Sequence, residues 1–126
     1  MNIAAMAKIL VVEDDDSVRA LVSRALQTSG HSVDEAADGA QGLNFIEECS
    51  AAYDLVVSDI RMPEMDGIEM SKTAAHRFPG LRIMLMTAYA EQRERAADLD
   101  GVVFDVMLKP FALAELRSRV SRALAA

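Results

Sequence analysis

The sequence predicts an α/β fold, a doubly wound parallel sheet with helices on both faces, and three observations carry that expectation. Short apolar runs rich in β-branched residues alternate five times with stretches in which apolar residues recur at helical spacing. The runs are apolar without alternation, as expected of strands covered on both faces by crossover helices. Several of them stop abruptly at a charged or hydroxyl residue: Leu55-Val56-Val57-Ser58 ends at Asp59, and Pro63, Asp66 and Gly67 follow as a turn. At 126 residues the chain has room for one domain with a single sizeable core.

Lys8 to Val12 is the first strand, and it delivers Glu13, Asp14, Asp15 and Asp16 at its C-terminal tip. From Ser17 the spacing turns helical, with Val18, Leu21, Val22, Ala25 and Leu26 on one face, Asp15 or Asp16 as N-cap and Gly30 as the stop. Ser32 to Ala36 is a strand polar enough to lie at a sheet edge, and Gly39 to Cys49 is a second helix carrying Leu43 and Ile46. After the third strand, Ile68 to Phe78 is a helix ended by Pro79-Gly80. Leu81 to Met86 is the fourth strand and closes at Thr87-Ala88. Glu91 to Asp100 is helical but mostly polar, and with so small an apolar stripe to anchor it, it is a candidate mobile element. Val102 to Leu108 is the last strand, ending at Lys109-Pro110, and Leu113, Leu116, Val120 and Leu124 mark a final amphipathic helix. No internal repeat, low-complexity tract or linker interrupts the alternation. Right-handed crossovers between parallel strands follow, and five units suit the flavodoxin-like strand order 2-1-3-4-5.

Composition excludes several functions. A net charge of −7, without any cluster of Lys and Arg among aromatics, argues against direct nucleic-acid binding. Hydrophobic residues make up 52%, yet no apolar run approaches a membrane span, and Met1 to Met6 lack a basic flank, so a cytoplasmic protein without a membrane partner is expected. The single cysteine, Cys49, cannot form an internal disulfide; Glu47 and Glu48 beside it do not favour a thiolate, and it reads as a packing residue. His31 and His76 are assigned to the surface.

In open parallel sheets, ligands bind outside the C-terminal ends of the strands. There the chain places Glu13 and Asp14, Asp59, Thr87 and Lys109, each closing its own strand. Alone, each has an ordinary reading as a helix cap, a turn residue or a solvated charge. Their recurrence at four strand ends is what such readings do not produce. Clustered carboxylates without thiol or a second ligand imidazole favour a hard divalent ion, and a site with few carboxylates and open positions suits Mg2+. A lysine and a hydroxyl beside it would stabilise anionic phosphoryl oxygens. Asp59 then becomes a carboxylate nucleophile that takes a phosphoryl group as an acyl phosphate.

Val12-Glu13-Asp14, Ser58-Asp59-Ile60-Arg61-Met62-Pro63-Glu64-Met65-Asp66-Gly67, Met86-Thr87-Ala88 and Leu108-Lys109-Pro110-Phe111 together resemble the receiver domain of two-component response regulators. The similarity covers nearly the whole chain, so residues 1–126 are expected to form one receiver domain. The resemblance implies that Glu13, Asp14, Asp59 and the backbone carbonyl of Arg61 hold Mg2+, that Asp59 is the phosphoacceptor, and that Thr87 and Lys109 contact the phosphoryl oxygens. It also implies a cis peptide at Lys109-Pro110, which proline makes tolerable. The donor would be a sensor histidine kinase or histidine phosphotransferase, and the switched face would comprise the fourth helix, fifth strand and fifth helix. Such a protein is a phosphoacceptor rather than an enzyme, catalysing only its own phosphorylation and dephosphorylation.

The chain stops at Ala126 after the last helix, so no output domain is expected. This resembles stand-alone receivers: the chemotaxis type, phosphorelay intermediates and the cell-cycle protease adaptors of α-proteobacteria. A monomer with a downstream protein partner is expected, and an AAA+ protease is one candidate, because the Leu124-Ala125-Ala126 end looks like the tails such proteases grip. Two positions depart from the family pattern. Val106 stands where an aromatic switch residue is usual, leaving Tyr89 or Phe104 to substitute, and Ala114 replaces a basic residue that helps the DNA-binding branch dimerise. Arg61 and Tyr89, both bulky, should flank the path of water to the phosphorus and lengthen the life of the acyl phosphate.

Three other functions compete. A Mg2+-dependent aspartyl phosphatase usually places a second acid two residues after its nucleophile, where this chain has Arg61. A flavin module needs a glycine-rich phosphate cradle after the first strand, and Glu13 and Asp14 would repel that phosphate. A pseudo-receiver, an interaction module independent of phosphorylation, is disfavoured by the presence of all five expected side chains.

Overall fold

The computed structural model describes residues 7–49, 52–97, 99 and 101–126. Five strands, β1 (Lys8–Val12), β2 (Ser32–Ala36), β3 (Leu55–Asp59), β4 (Ile83–Thr87) and β5 (Asp105–Leu108), alternate with five helices, α1 (Asp16–Thr28), α2 (Gly39–Glu48), α3 (Gly67–Arg77), α4 (Ala90–Ala97) and α5 (Leu113–Ala125). The sheet order is β2-β1-β3-β4-β5 with every pair parallel, the flavodoxin-like arrangement the alternation predicts. Among the described residues no helix is long and apolar enough to cross a membrane.

The two-residue period of the strands divides the core in two. Leu10, Val12, Val56, Ile60, Ile83 and Leu85 face α2, α3 and α4, meeting Ile46, Met70, Ala74 and Ala96. Ile9, Val11, Leu55, Val57, Met84, Met86 and Met107 face the opposite way, onto Val22 and Leu26 of α1 and Leu116 and Val120 of α5. Burying such side chains contributes about 1.5–3 kcal/mol each.

Local chemistry sets the boundaries. Asp15 caps α1 through Oδ1, which accepts from the amides of Ser17 (2.9 Å) and Val18 (3.1 Å). Asp38 caps α2 and Asp66 caps α3, accepting from the amides of Gln41 and Glu69 respectively, both at 2.8 Å. Gly30, with φ +100°, reverses the chain after α1, so that the amides of Gly30 and His31 reach back to the carbonyls of Gln27 and Leu26.

The structure departs from several expectations. Leu21 is 51% exposed: the buried arc of α1 runs through Val22, Ser23, Ala25 and Leu26, and at about 100° per residue Leu21 lies beyond its edge. β4 begins at Ile83, and β5 begins at Asp105 instead of Val102, because Val102 and Val103 turn back onto the Leu99 carbonyl (2.8 and 3.1 Å) while packing against the core. His31 is buried; its Nδ1 accepts from the Ala7 amide at 3.1 Å, which requires the neutral ring. Cys49 is partly buried against the core as expected, and its Sγ lies 3.8 Å from the Tyr53 hydroxyl and 3.9 Å from the Lys8 ammonium, neighbours the sequence does not announce. The carboxy-terminal segment is tied down: Ala123 is buried, and the Arg82 guanidinium donates to the carbonyls of Ala123 (2.6 Å), Leu124 (3.1 Å) and Ala126. The polar α4 ends at Ala97 and buries Ala96, with Leu99 just beyond it; the expected end at Asp100 lies outside the described residues.

Candidate functional site

Parallel register brings the strand tips level: Val12 lies beside Ser58, Asp59 beside Met86, and Thr87 beside Leu108. The residues that close these strands therefore meet at one edge. Glu13, Asp14 and Asp59 each offer a carboxylate oxygen, all within 4.8 Å of one another, Glu13 and Asp59 from buried positions and Asp14 from an exposed one. Glu13 is fully buried, and both of its oxygens are engaged: Oε1 accepts from the Lys109 ammonium at 2.5 Å and Oε2 from the Asp15 amide at 3.2 Å. The same ammonium stands 3.3 Å from Asp59 Oδ2. Asp59 Oδ1 accepts from the Ile60 amide at 3.0 Å. Thr87, also buried, accepts through Oγ1 from the Tyr89 amide at 3.1 Å, which leaves its hydroxyl hydrogen to be donated elsewhere.

The electrostatics follow from this crowding. Desolvation, then the hydrogen bond and negative charge of Glu13, hold the Asp14 carboxyl above the usual carboxylate range. Burial works to lower the Lys109 pKa, but the Glu13 hydrogen bond and the charges of Asp59 and Glu13 outweigh it and leave it raised. Three carboxylates without sulfur or imidazole, with one carboxyl reluctant to ionise beside another, form a donor set that suits a hard divalent cation such as Mg2+. The remaining wall is a cavity of about 390 Å³ lined by Asp14, Arg61, Met62, Pro63, Asp66 and Gln92. The Arg61 side chain projects to the rim, where its guanidinium lies over the Tyr89 ring. Lys109-Pro110 is cis, as the resemblance implies.

Sequence reading missed several contributors. The Asp15 amide holds Glu13, although Asp15 itself reads only as a cap. Gly67 stands where a Cβ would overlap the Asp59 carbonyl oxygen and lie 3.1 Å from its carbon, and its amide donates to the Ile60 carbonyl at 2.8 Å. The Asp66-Gly67 turn signal was visible, but not its contact with the nucleophile's own backbone. Gln92, on α4, reaches the cavity from an element with no sequence link to the site. Tyr89 and Phe104, the aromatic residues available in place of Val106, both project outward, at 43% and 45% exposure.

The response regulator receiver domain family matches residues 9–121. The chain is 37% identical over 126 residues to the sensor kinase CckA of Brucella abortus, covering 98% of this chain and 13% of that protein. It is 42% identical over 113 residues to the response regulator MprA of Mycolicibacterium vanbaalenii, covering 90% of this chain and 48% of that protein. It thus spans less than half the length of either relative. The crystal structure of the response regulator protein TrrA from Thermotoga maritima in complex with Mg2+-BeF superposes with a TM-score of 0.83 at 31% identity, covering 94% of this chain and 99% of that one. The family match begins inside β1 and ends inside α5, so it takes in all the elements that build the site, and the chain belongs to the response regulator receiver domains of two-component systems.

Proposed function

We propose that this receiver accepts a phosphoryl group on Asp59 Oδ2 from a phosphohistidine of a sensor histidine kinase or histidine phosphotransferase, with Mg2+ held by Glu13, Asp14, Asp59 and the Arg61 backbone carbonyl. The observation that carries the reading is the Lys109 ammonium placed between Glu13 and Asp59, 3.3 Å from Oδ2. Receiver domains are phosphoacceptor signalling domains that interact with such donors and bind Mg2+ at an acidic site; the Mg2+-BeF complex of TrrA supports the same chemistry here.

The Ile60 amide, shared between Asp59 Oδ1 and the Met86 carbonyl, engages Oδ1, and Oδ2 is the oxygen that attacks. Its lone pair forms the new P–O bond as the P–N bond to the donor imidazole breaks, and the departing electron pair stays on the imidazole nitrogen, which protonates from solvent. Bound Mg2+ would neutralise the phosphoryl oxygens and the acidic cluster as two anions approach. The Thr87 hydroxyl donates to one phosphoryl oxygen and Lys109 pairs with another, both already at the strand tips. Glu13, buried and bound to Lys109, keeps that ammonium over the nucleophile.

The exposed side chains of Tyr89, Phe104 and Leu108 mark the side built from α4, β5 and α5, and this face is the proposed contact for a downstream protein. An AAA+ protease gripping the Leu124-Ala125-Ala126 end would first have to detach those carbonyls from Arg82. The test of the phosphoacceptor is intact mass after incubation with Mg2+ and a small acyl phosphate. One phosphate should be gained by the wild type and none by Asp59→Asn; equal labelling of both, or none of either, defeats the assignment.

A further inference from the structure

The β3–α3 connection, Ile60 to Asp66, carries Arg61 and wall residues of the cavity beside the acidic cluster. Its path is tight. The Met65 amide donates to the Pro63 carbonyl at 2.9 Å, and Glu64 adopts φ +67°, a left-handed conformation that a glutamate takes only when its surroundings impose it. At its far end the connection is pinned by the Gly67 amide on the Ile60 carbonyl.

A second close approach to the connection comes from another element. Gly39, the buried first residue of α2, sits so close to Met65 that a Cβ there would overlap the Met65 carbonyl oxygen and lie 3.0 Å from its carbon and 3.2 Å from its Cβ. These neighbours are backbone or attached directly to it, so they cannot step aside as a side-chain tip can. Gly42, one turn along α2, makes a useful contrast: a Cβ there would meet Val12 Cγ2 at 2.9 Å and Met70 Sδ at 3.0 Å, both side-chain atoms. One glycine of α2 lies against the site's loop backbone, and the nearest neighbours of the other are core side chains.

We propose that Gly39 is a positioning residue for the metal site, and that the start of α2 acts as the stop against which the Arg61–Asp66 loop is set. This rests on the proposed use of the Arg61 carbonyl as a metal ligand. Gly39 touches neither metal nor phosphate; it acts through Met65. A larger residue pushes the Met65 carbonyl away, the displacement runs along a loop with little slack, and the oxygen of Arg61 moves off its place. The start of α2 is thereby coupled to Mg2+ affinity, and by linkage Mg2+ binding must act back on the turn Ala37–Gln41.

The test compares wild type, Gly39→Ala and Gly42→Ala. MgCl2 titrations followed by calorimetry give the Mg2+ dissociation constant, thermal melting without Mg2+ gives the cost to the fold, and acyl-phosphate labelling at rising Mg2+ separates affinity from maximal rate. Gly39→Ala should weaken Mg2+ binding at least fivefold while labelling at saturating Mg2+ stays within twofold of wild type. Gly42→Ala should melt lower than wild type yet bind Mg2+ unchanged. Unaltered binding in Gly39→Ala, or equal weakening in both variants, overturns the proposal. Because Gly39→Ala could fail to fold, the wild-type protein supplies an independent arm: Mg2+ should shift the amide resonances of Asp38, Gly39 and Gln41 along the same titration curve as those of Arg61 and Met65. Static Asp38, Gly39 and Gln41 amides overturn it equally. If wild type binds Mg2+ but takes no phosphate, the phosphoacceptor reading fails while this inference stands.

Discussion

The guanidinium of Arg61 lies over the ring of Tyr89, 4.6 Å from its centroid, so that the residues two positions beyond Asp59 and Thr87 close on each other across the mouth of the site. A cation–π contact at an exposed site is worth about 0.5–1 kcal/mol. Its interest is geometric, since two bulky side chains held together would crowd the approach of water in line with the phosphorus of the proposed Asp59 acyl phosphate.

Removing that cover is expected to hasten loss of the phosphate. Arg61→Ala combined with Tyr89→Ala should release phosphate about three- to tenfold faster than wild type, a barrier change of about 0.7–1.4 kcal/mol. Following the phosphorylated mass over time decides it, and an unchanged or slower decay counts against the idea.

Lys109 and Glu13 form a pair in which Glu13 has no access to water. Truncating the cation strands a buried carboxylate, so Lys109→Met should lose about 3 kcal/mol of stability without Mg2+, near the lower end for breaking a buried pair because the lysine keeps 19% exposure. Bound Mg2+ would replace part of the missing charge, so adding it should raise the melting temperature of the variant more than that of the wild type. Equal shifts would show that the ammonium and the divalent ion do not serve the same carboxylates.

His31 makes stability depend on pH. Burial lowers its pKa from 6.5, with the Asp54 charge opposing, so the unfolded chain binds the proton more readily than the folded one. The sign is therefore full stability above pH 6.5 and progressive loss as pH falls from there toward the folded value. His31→Asn keeps an acceptor for the Ala7 amide but cannot titrate. Urea midpoints measured between about pH 7.5 and 5 should fall more steeply in wild type than in His31→Asn; parallel curves would exclude the histidine as the cause.

The central strands were legible because β3 and β4 are short, fully buried runs that end where chemistry begins: Val57-Ser58-Asp59 and Leu85-Met86-Thr87 announce both burial and tip. For the same reason Glu13, Asp14, Asp59, Thr87 and Lys109 could be placed at one edge from strand ends alone. What resisted reading depends on partners far along the chain. Val102 and Val103 look like strand residues until Leu99 claims their amides. His31 reads as a surface histidine until Ala7 donates to it, and Cys49 looks unremarkable until Lys8 folds over it. Gly39 carries no mark in its own neighbourhood, since what demands a glycine there is the Met65 backbone twenty-six positions on.

At β4 and β5 the two faces of the sheet differ in the shapes of the side chains that cover them. Toward α1 and α5, strands β4 and β5 present Met84, Met86 and Met107, unbranched thioethers that change shape with little change in volume. Toward α2, α3 and α4 the same two strands present Ile83, Leu85 and Val106, of which Ile83 and Val106 are branched at Cβ and stiff at χ1. A displacement of the strand tips would find sulfur-bearing chains able to rearrange in place on the first side. On the second, stiffer side the element expected to yield is α4, which buries Ala96 alone among its described side chains.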